Sequence, residues 1–301
     1  MTVRVLQFGA TGALSRELLA RGGGGVELKA LSRDQVDLTD PAAVRRAIEA
    51  EAAVDLVINA AAYTAVDKAQ DEPELAYAVN ADAPAAMASA CQARGAALVH
   101  VSTDMVFSGA KAGAYAEGDA VGPLHVYGAS KLAGEAAVLA RCERAVVLRV
   151  SWLFSAFGQN FLQAMLRLAQ TQPVLKVVED QRARPTASGD VAAFLLQVAP
   201  RLAAAPAGAA EWGRLHYANA GVTTRFEMAR AIFELAWPDR PPPALEPVPT
   251  SAFPTPARRA LNAELDTTRL ETVFEHSPRP WRTALADVVA QLRAAQDRKV
   301  A

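Results

Sequence analysis

Cysteine is nearly absent: Cys91 and Cys142 are the only two in 301 residues. Both fall in alanine-rich helical stretches, without metal-ligand spacing or a recurrent framework. Disulfide stapling is thereby excluded, and both thiols read as small buried apolar side chains. An excess of either charge is also missing, with 31 basic residues against 32 acidic ones and a formal net charge of -1. Such a chain lacks the basic field that supplies most non-specific nucleic-acid affinity, so no nucleic-acid partner is expected. Although 51% of residues are hydrophobic, no run approaches the roughly 18 uninterrupted apolar residues of a membrane span. The first strand-like run starts at once, with no basic segment and cleavage site before it. A soluble, unprocessed, cytoplasmic protein with no membrane partner is expected, long enough for one large α/β domain or two smaller lobes.

What is present is an alternation. Apolar runs at Val3 to Phe8, Glu27 to Leu31, Val54 to Asn59, Ala97 to Ser102 and Ala145 to Val150 are separated by stretches of helical period at Gly12 to Arg21, Pro41 to Glu51, Glu72 to Arg94 and from Val126. Short continuous apolar strands with helices between them predict a parallel sheet covered on both faces. The expected fold is α/β, a doubly wound, Rossmann-type sheet over residues 1–151, with ligands beyond the carboxyl ends of its strands. After Trp152 the rhythm changes, predicting a helix over Asn160 to Gln170, a strand at Leu175 to Val178, a helix from Ser188, a strand near Leu215 to Ala218 and two later helices. Residues 152–301 read as a smaller, interleaved substrate lobe, with segments near 176–218 returning to the main sheet. Eight of the 18 prolines lie between Pro238 and Pro256, which predicts an extended loop because proline supplies no backbone donor.

The first strand ends at Gly9-Ala-Thr11-Gly12-Ala13-Leu14-Ser15 and runs into a helix. Glycines allow a sharp turn close to a pyrophosphate, and a helix N-terminus offers free N–H groups and a positive dipole end. This turn opens the βαβ series, where a dinucleotide binds. Ser15 takes the place of a third glycine, and a small serine should still fit. At the end of the second strand stands Arg33, suited to a 2′-phosphate, where an acidic residue would accept from a 2′-hydroxyl. The reading favours NADPH and leaves NADH open. Asp37 and Leu38 should flank the adenine, and Ala61, Ala62 and Thr64 should lie along the cofactor.

Tyr127-Gly-Ala-Ser-Lys131 places a phenol and an ammonium four residues apart on one helix face. A neighbouring ammonium and the positive nicotinamide of an oxidised cofactor favour phenolate, moving the phenol toward a useful range for acid catalysis. Upstream, Val99-His-Val-Ser102-Thr103-Asp104 ends a strand with hydroxyls able to hold a carbonyl oxygen, and Thr103 is the candidate.

The order of these pieces resembles the extended short-chain dehydrogenase/reductases. Within them the chain is similar to the dTDP-4-dehydrorhamnose reductase family along nearly its whole length. The matching residues include Asn59-Ala-Ala-Ala-Tyr-Thr-Ala-Val-Asp67-Lys68, Val101-Ser-Thr-Asp104, Val126-Tyr-Gly-Ala-Ser-Lys-Leu-Ala-Gly-Glu135, Arg149-Val-Ser-Trp152, Asp180-Gln181 and Pro256-Ala-Arg-Arg259. The resemblance implies hydride transfer from NADPH to the C4 ketone of dTDP-4-dehydro-L-rhamnose, with Thr103, Tyr127 and Lys131 as the catalytic trio and Lys131 also on the nicotinamide ribose. It implies a nucleotide-sugar site that includes Asp104, Trp152, Asn160, Gln181 and Arg258 or Arg259, Arg258 being the one chosen, with Met105 where the family usually has tyrosine. Ala183 and Ala260 depart from the usual pattern as well. These departures keep a reductase or epimerase of another nucleotide sugar, and a non-catalytic NADP-binding subunit, as alternatives. Some members of the family carry magnesium across a dimer. Glu17 corresponds to one such ligand, but Gly189 stands where another is expected, so no catalytic metal is predicted, and a structural Mg2+ and a homodimer stay open.

Overall fold

The structure, a computed structural model, describes residues 2–239 and 241–300. Strands β1 (Val3–Phe8), β2 (Val26–Leu31), β3 (Leu56–Asn59), β4 (Ala97–Thr103) and β5 (Ala145–Val150) alternate with helices α1 (Ala13–Arg21), α2 (Pro41–Glu49), α3 (Pro73–Tyr77), α4 (Ala83–Arg94) and α5 (Val126–Arg141). Successive strand side chains point to opposite faces. Accordingly Val3 and Val5 of β1, Leu56 and Ile58 of β3, and Val146 and Leu148 of β5 enter one core cluster. Leu6 and Phe8, Val57, and Val147 enter the cluster on the other face. Both faces are apolar and need cover, and the expected doubly wound sheet is what forms.

The chain continues through β6 (Leu153–Phe154), α6 (Phe161–Leu168), β7 (Val174–Val178), β8 (Arg182–Ala183), β9 (Thr186–Ala187), α7 (Ser188–Ala204) and β10 (Gly213–Tyr217). The main sheet is six-stranded in the order β10-β5-β4-β3-β1-β2, with every pairing parallel. Strand order reverses on either side of β1, between β2 and β3, which opens a crevice at the carboxyl ends of β1 and β3. Helix α7 returns to cover the β1 side of the sheet through Val191, Leu195 and Leu202, beside Leu14 and Leu18 of α1.

Beyond β10 lie β11 (Thr223–Thr224), α8 (Arg225–Ala236), β12 (Ala244–Val248), β13 (Asn262–Ala263), α9 (Thr268–Phe274) and α10 (Trp281–Val300). Strands β7 and β12 pair with each other, outside the main sheet. With α6, α8 and α10 they enclose a separate apolar cluster around Leu162, Leu175, Ile232 and Leu285. Three of the sequence expectations change here. The proline-rich loop contains a ladder after all: β12 carries Pro247, which is tolerated because β12 is an edge strand of a two-stranded sheet. Three helices rather than two follow β10 among the described residues, because Thr268–Phe274 forms a short one. The single helix expected over 72–94 is interrupted by a π-turn at Ala78–Asp82.

That interruption has a cause. Pro84 lacks the N–H that would bond to the Asn80 carbonyl four residues earlier. The freed carbonyl faces α5, where a Cβ on Gly134 would lie 2.0 Å from the Asn80 oxygen. Only glycine lets α5 seat there. Asn80 in turn accepts from the Tyr63 N–H at 2.9 Å and donates to the Tyr63 carbonyl at 3.1 Å and to Ser130 Oγ at 3.0 Å. Gly134→Ala should therefore cost about 3 kcal/mol or more, at the upper end for overpacking a core. A urea denaturation midpoint unchanged in that variant would contradict this packing.

Candidate active site

A cleft of about 850 Å³ opens at the carboxyl ends of β1, β3 and β4, with the smaller lobe as its far wall. Its floor at one end is the turn after β1. Gly9 has φ of 97° there, and a Cβ on it would lie 3.0 Å from Ser15 Oγ and 3.2 Å from Ala61 Cβ. Glycine is required for both the backbone and the close approach. Gly12 begins α1 with no side-chain cap, so the first N–H groups of the helix are unspent where Thr11, Ala13 and Leu14 line the cleft. Ala61, Ala62 and Thr64 line the adjoining wall. Such a cradle fits a dinucleotide pyrophosphate.

At the adenine end, Arg33 is exposed just beyond β2. Asp37 is exposed too, and its Oδ1 accepts from the Thr39 N–H at 2.9 Å and the Thr39 hydroxyl at 2.8 Å. These bonds hold its carboxyl below the usual range. Leu38 packs against the apolar cluster on the Phe8 face of the sheet.

Thr103, Tyr127 and Lys131 come together on the cleft wall. The Thr103 hydroxyl donates to Asp104 Oδ1 at 2.9 Å and accepts from the Met105 N–H at 3.2 Å. Tyr127 sits on the first turn of α5, which Gln70 fixes by accepting from the Val126 N–H at 2.7 Å and His125 caps by accepting from the Gly128 N–H at 3.1 Å. A Cβ on Gly128 would lie 2.3 Å from the Met105 carbonyl, so glycine also sets how closely the tyrosine approaches β4. Burial and then the Asp104 carboxylate push the Tyr127 phenol above its ordinary value, against a hydrogen bond with Thr103. The expected lowering by Lys131 and an oxidised nicotinamide concerns the cofactor complex, whereas in the free protein burial dominates.

The Lys131 ammonium has partners of its own. Lys131 Nζ donates to the Val101 carbonyl at 2.7 Å and lies 3.3 Å from His100 Nε2. Burial lowers Lys131 to about 8, with Glu135 on the next turn of α5 opposing. His100 is fully buried between Lys131 and Asn59. The Ala61 N–H donates to Asn59 Oδ1 at 3.1 Å, leaving the Asn59 amide to donate to His100 Nδ1 at 3.0 Å. Burial, then the Lys131 charge, keeps His100 well below its ordinary value.

On the far wall, Trp152, Asn160, Gln181 and Met105 all line the cleft. Asn160 also caps α6: its amide donates to the Ser155 and Phe157 carbonyls at 2.9 and 3.2 Å, and its Oδ1 accepts from the Gln163 N–H at 3.3 Å. Gln181 donates to Thr250 Oγ1 at 3.1 Å. Arg258 points out to solvent, outside the cleft. Its neighbour Arg259 enters instead, because the Ala257 N–H donates to Asp67 Oδ1 at 3.2 Å and turns the chain inward. Arg259 then donates to Asp67 Oδ2 at 2.8 Å.

The family model described as RmlD substrate binding domain matches residues 3–294. The chain belongs to the dTDP-4-dehydrorhamnose reductase family. It is 42% identical to the dTDP-4-dehydrorhamnose reductase of Mycolicibacterium smegmatis over 96% of this chain and 86% of that one. It is 38% identical to the enzyme of that name from Aggregatibacter actinomycetemcomitans over 95% of this chain and 98% of that one. Among solved structures, the dTDP-4-dehydrorhamnose reductase of Bacillus anthracis in complex with NADP superposes with a TM-score of 0.89 at 30% identity, covering 97% of this chain and 100% of that one.

The cleft residues that the sequence motifs did not single out have traceable signals. A histidine inside the apolar run of β4 was one, and Asn59 ending β3 was another. Arg225 also lines the cleft, at the start of a helix whose dipole disfavours a cation. Glu17 is engaged within this chain. One of its oxygens accepts from Ser155 Oγ at 2.6 Å, the other is paired with Arg21, and that pair packs against Gly189. Among the described residues there is no cluster of three or more histidine, cysteine or acidic side chains able to hold a metal, and no helix long and apolar enough to cross a membrane.

Proposed function

We propose that this chain reduces the C4 ketone of dTDP-4-dehydro-L-rhamnose to dTDP-L-rhamnose, using NADPH. The observation that carries this reading is the convergence of Thr103, Tyr127 and Lys131 on a cleft that begins at the uncapped end of α1. The bound cofactor supplies the hydride. Tyr127 supplies the proton to the keto oxygen, and its buried, protonated phenol is the form needed for that donation. Thr103, which lines the same wall of the cleft, holds the same oxygen in line. Lys131 carries positive charge next to the phenolate left behind and holds the nicotinamide ribose. Gly9, Gly12, Ala13 and Leu14 hold the pyrophosphate, and Trp152, Gln181 and Arg259 face the nucleotide sugar.

Arg33 is the residue we assign to the 2′-phosphate of the cofactor. Arg33→Asp should raise the KM for NADPH by about tenfold or more, the worth of a charge-assisted hydrogen bond, and should raise NADH use relative to it. Unchanged selectivity would return Arg33 to an ordinary solvated charge.

The reading is tested by following NADPH oxidation with dTDP-4-dehydro-L-rhamnose and with other 4-keto nucleotide sugars. Turnover of the first is expected. Turnover only of another sugar would reassign the substrate, and NADPH binding without turnover of any sugar would make the chain a binding subunit.

A further inference from the structure

Arg225 opens α8 at the cleft, and its guanidinium is stacked between two rings, 3.6 Å from the centroid of Trp152 and 4.9 Å from that of Phe161. Stacking engages the face of a guanidinium and leaves its N–H edge available for a planar acceptor. No hydrogen bond or salt bridge engages that edge among the described residues. The nearest acid influencing it is Asp104, whose oxygens are already committed to Thr103 at 2.9 Å and Ser151 at 2.8 Å. Arg225 is half-buried, and burial lowers it to about 10, so it remains a cation at neutral pH with no acid bonded to it. Such a group is costly unless an anion completes it.

Two further features point the same way. Trp152 holds its ring under Arg225 from a backbone with φ of 44°, a left-handed conformation that bulky residues rarely adopt. Arg259 lines the same cleft, close enough for its charge to oppose that of Arg225. Asp67 and the Ala257 carbonyl tie Arg259 in place at 2.8 and 2.7 Å, and neither reaches Arg225. Two guanidiniums that repel each other across a cavity form a site for a ligand with several anionic oxygens.

We propose that Arg225 and Arg259 together clamp the diphosphate of the nucleotide-sugar substrate, Arg225 being held edge-on by its stack on Trp152. This rests on the reading of the substrate as a nucleotide sugar. It gives the clamp a task separate from the cofactor's own pyrophosphate, which meets the start of α1.

The test is calorimetric titration of the full chain, saturated with NADP+, with dTDP, dTMP and thymidine. Arg225→Met should weaken dTDP by about 10- to 100-fold, the worth of charge-assisted hydrogen bonds to a phosphate, while thymidine and NADP+ bind as in the unsubstituted protein. Arg225→Lys should recover part of the loss, and the sugar KM should rise more than kcat falls. Equal dTDP affinity in Arg225→Met and the parent would overturn the clamp while leaving the substrate reading intact. Parallel losses of dTDP and thymidine would overturn it too, by showing that Arg225 only supports Trp152. If Arg225→Met fails to bind NADP+, the Lys variant decides: dTDP weakened while thymidine binds as in the parent supports the clamp, and dTDP affinity equal to the parent's, or thymidine weakened as much as dTDP, overturns it. Failure of the unsubstituted protein to bind dTDP would instead overturn the nucleotide-sugar reading itself.

Discussion

Tyr127→Phe is expected to lower kcat by about 10²- to 10⁴-fold, the usual worth of a positioned general acid, with the Kd for NADPH nearly unchanged. The substitution removes one hydroxyl and leaves the ring, the cap at His125 and the seat at Gly128 in place. The loss should therefore appear in the transition state, lowering kcat and kcat/KM for the sugar together. Pre-steady-state NADPH binding followed by steady-state turnover separates the two quantities. Near-parental turnover in this variant would remove Tyr127 from the mechanism.

The second large effect concerns charge. Lys131 is lowered from its ordinary 10.5 to about 8 by burial, so it is an ammonium below about pH 8 and an amine above it. Tyr127 is raised, and so it keeps its proton through the same range. The ammonium form is the one that favours proton release by the phenol. Reduction should therefore be fast below about pH 8 and fall tenfold per pH unit above it, seen in kcat/KM for NADPH, which reports groups of the free enzyme. His100 and Glu135 are the other titratable groups facing Lys131. His100 is held neutral well below this range, and the Glu135 carboxylate is engaged by Arg149 at 2.6 Å, so neither supplies the falling limb. Lys131→Met should lower the plateau by at least about 100-fold and abolish that limb. A limb that persists at the same pH in the variant would assign it elsewhere.

Much of this was legible in the residues. The short continuous apolar runs of β1, β3 and β5 dictated a sheet buried on both faces, and the glycines after β1 dictated a turn at the switch point. Tyr127 and Lys131 are one helical turn apart, so local geometry placed them together. What was not legible depended on contacts distant in sequence. The π-turn at Ala78–Asp82 follows from Pro84 locally, but its fit requires Gly134 on another helix. Choosing between Arg258 and Arg259 turned on Asp67, some 190 residues away. The raised phenol follows from burial and from the Asp104 carboxylate, neither of which the spacing between tyrosine and lysine encodes. Arg225 carried a signal only as a cation at the wrong end of a helix.

The central claim is that hydride and proton reach one keto carbon and its oxygen from opposite partners, the cofactor and Tyr127. Turnover of dTDP-4-dehydro-L-rhamnose with NADPH deuterated on the transferable position of the nicotinamide, followed by proton NMR of the product sugar, tests it directly. The account predicts loss of the C4 proton signal, with deuterium at C4 even in ordinary water. A product that keeps a full C4 proton signal would contradict it.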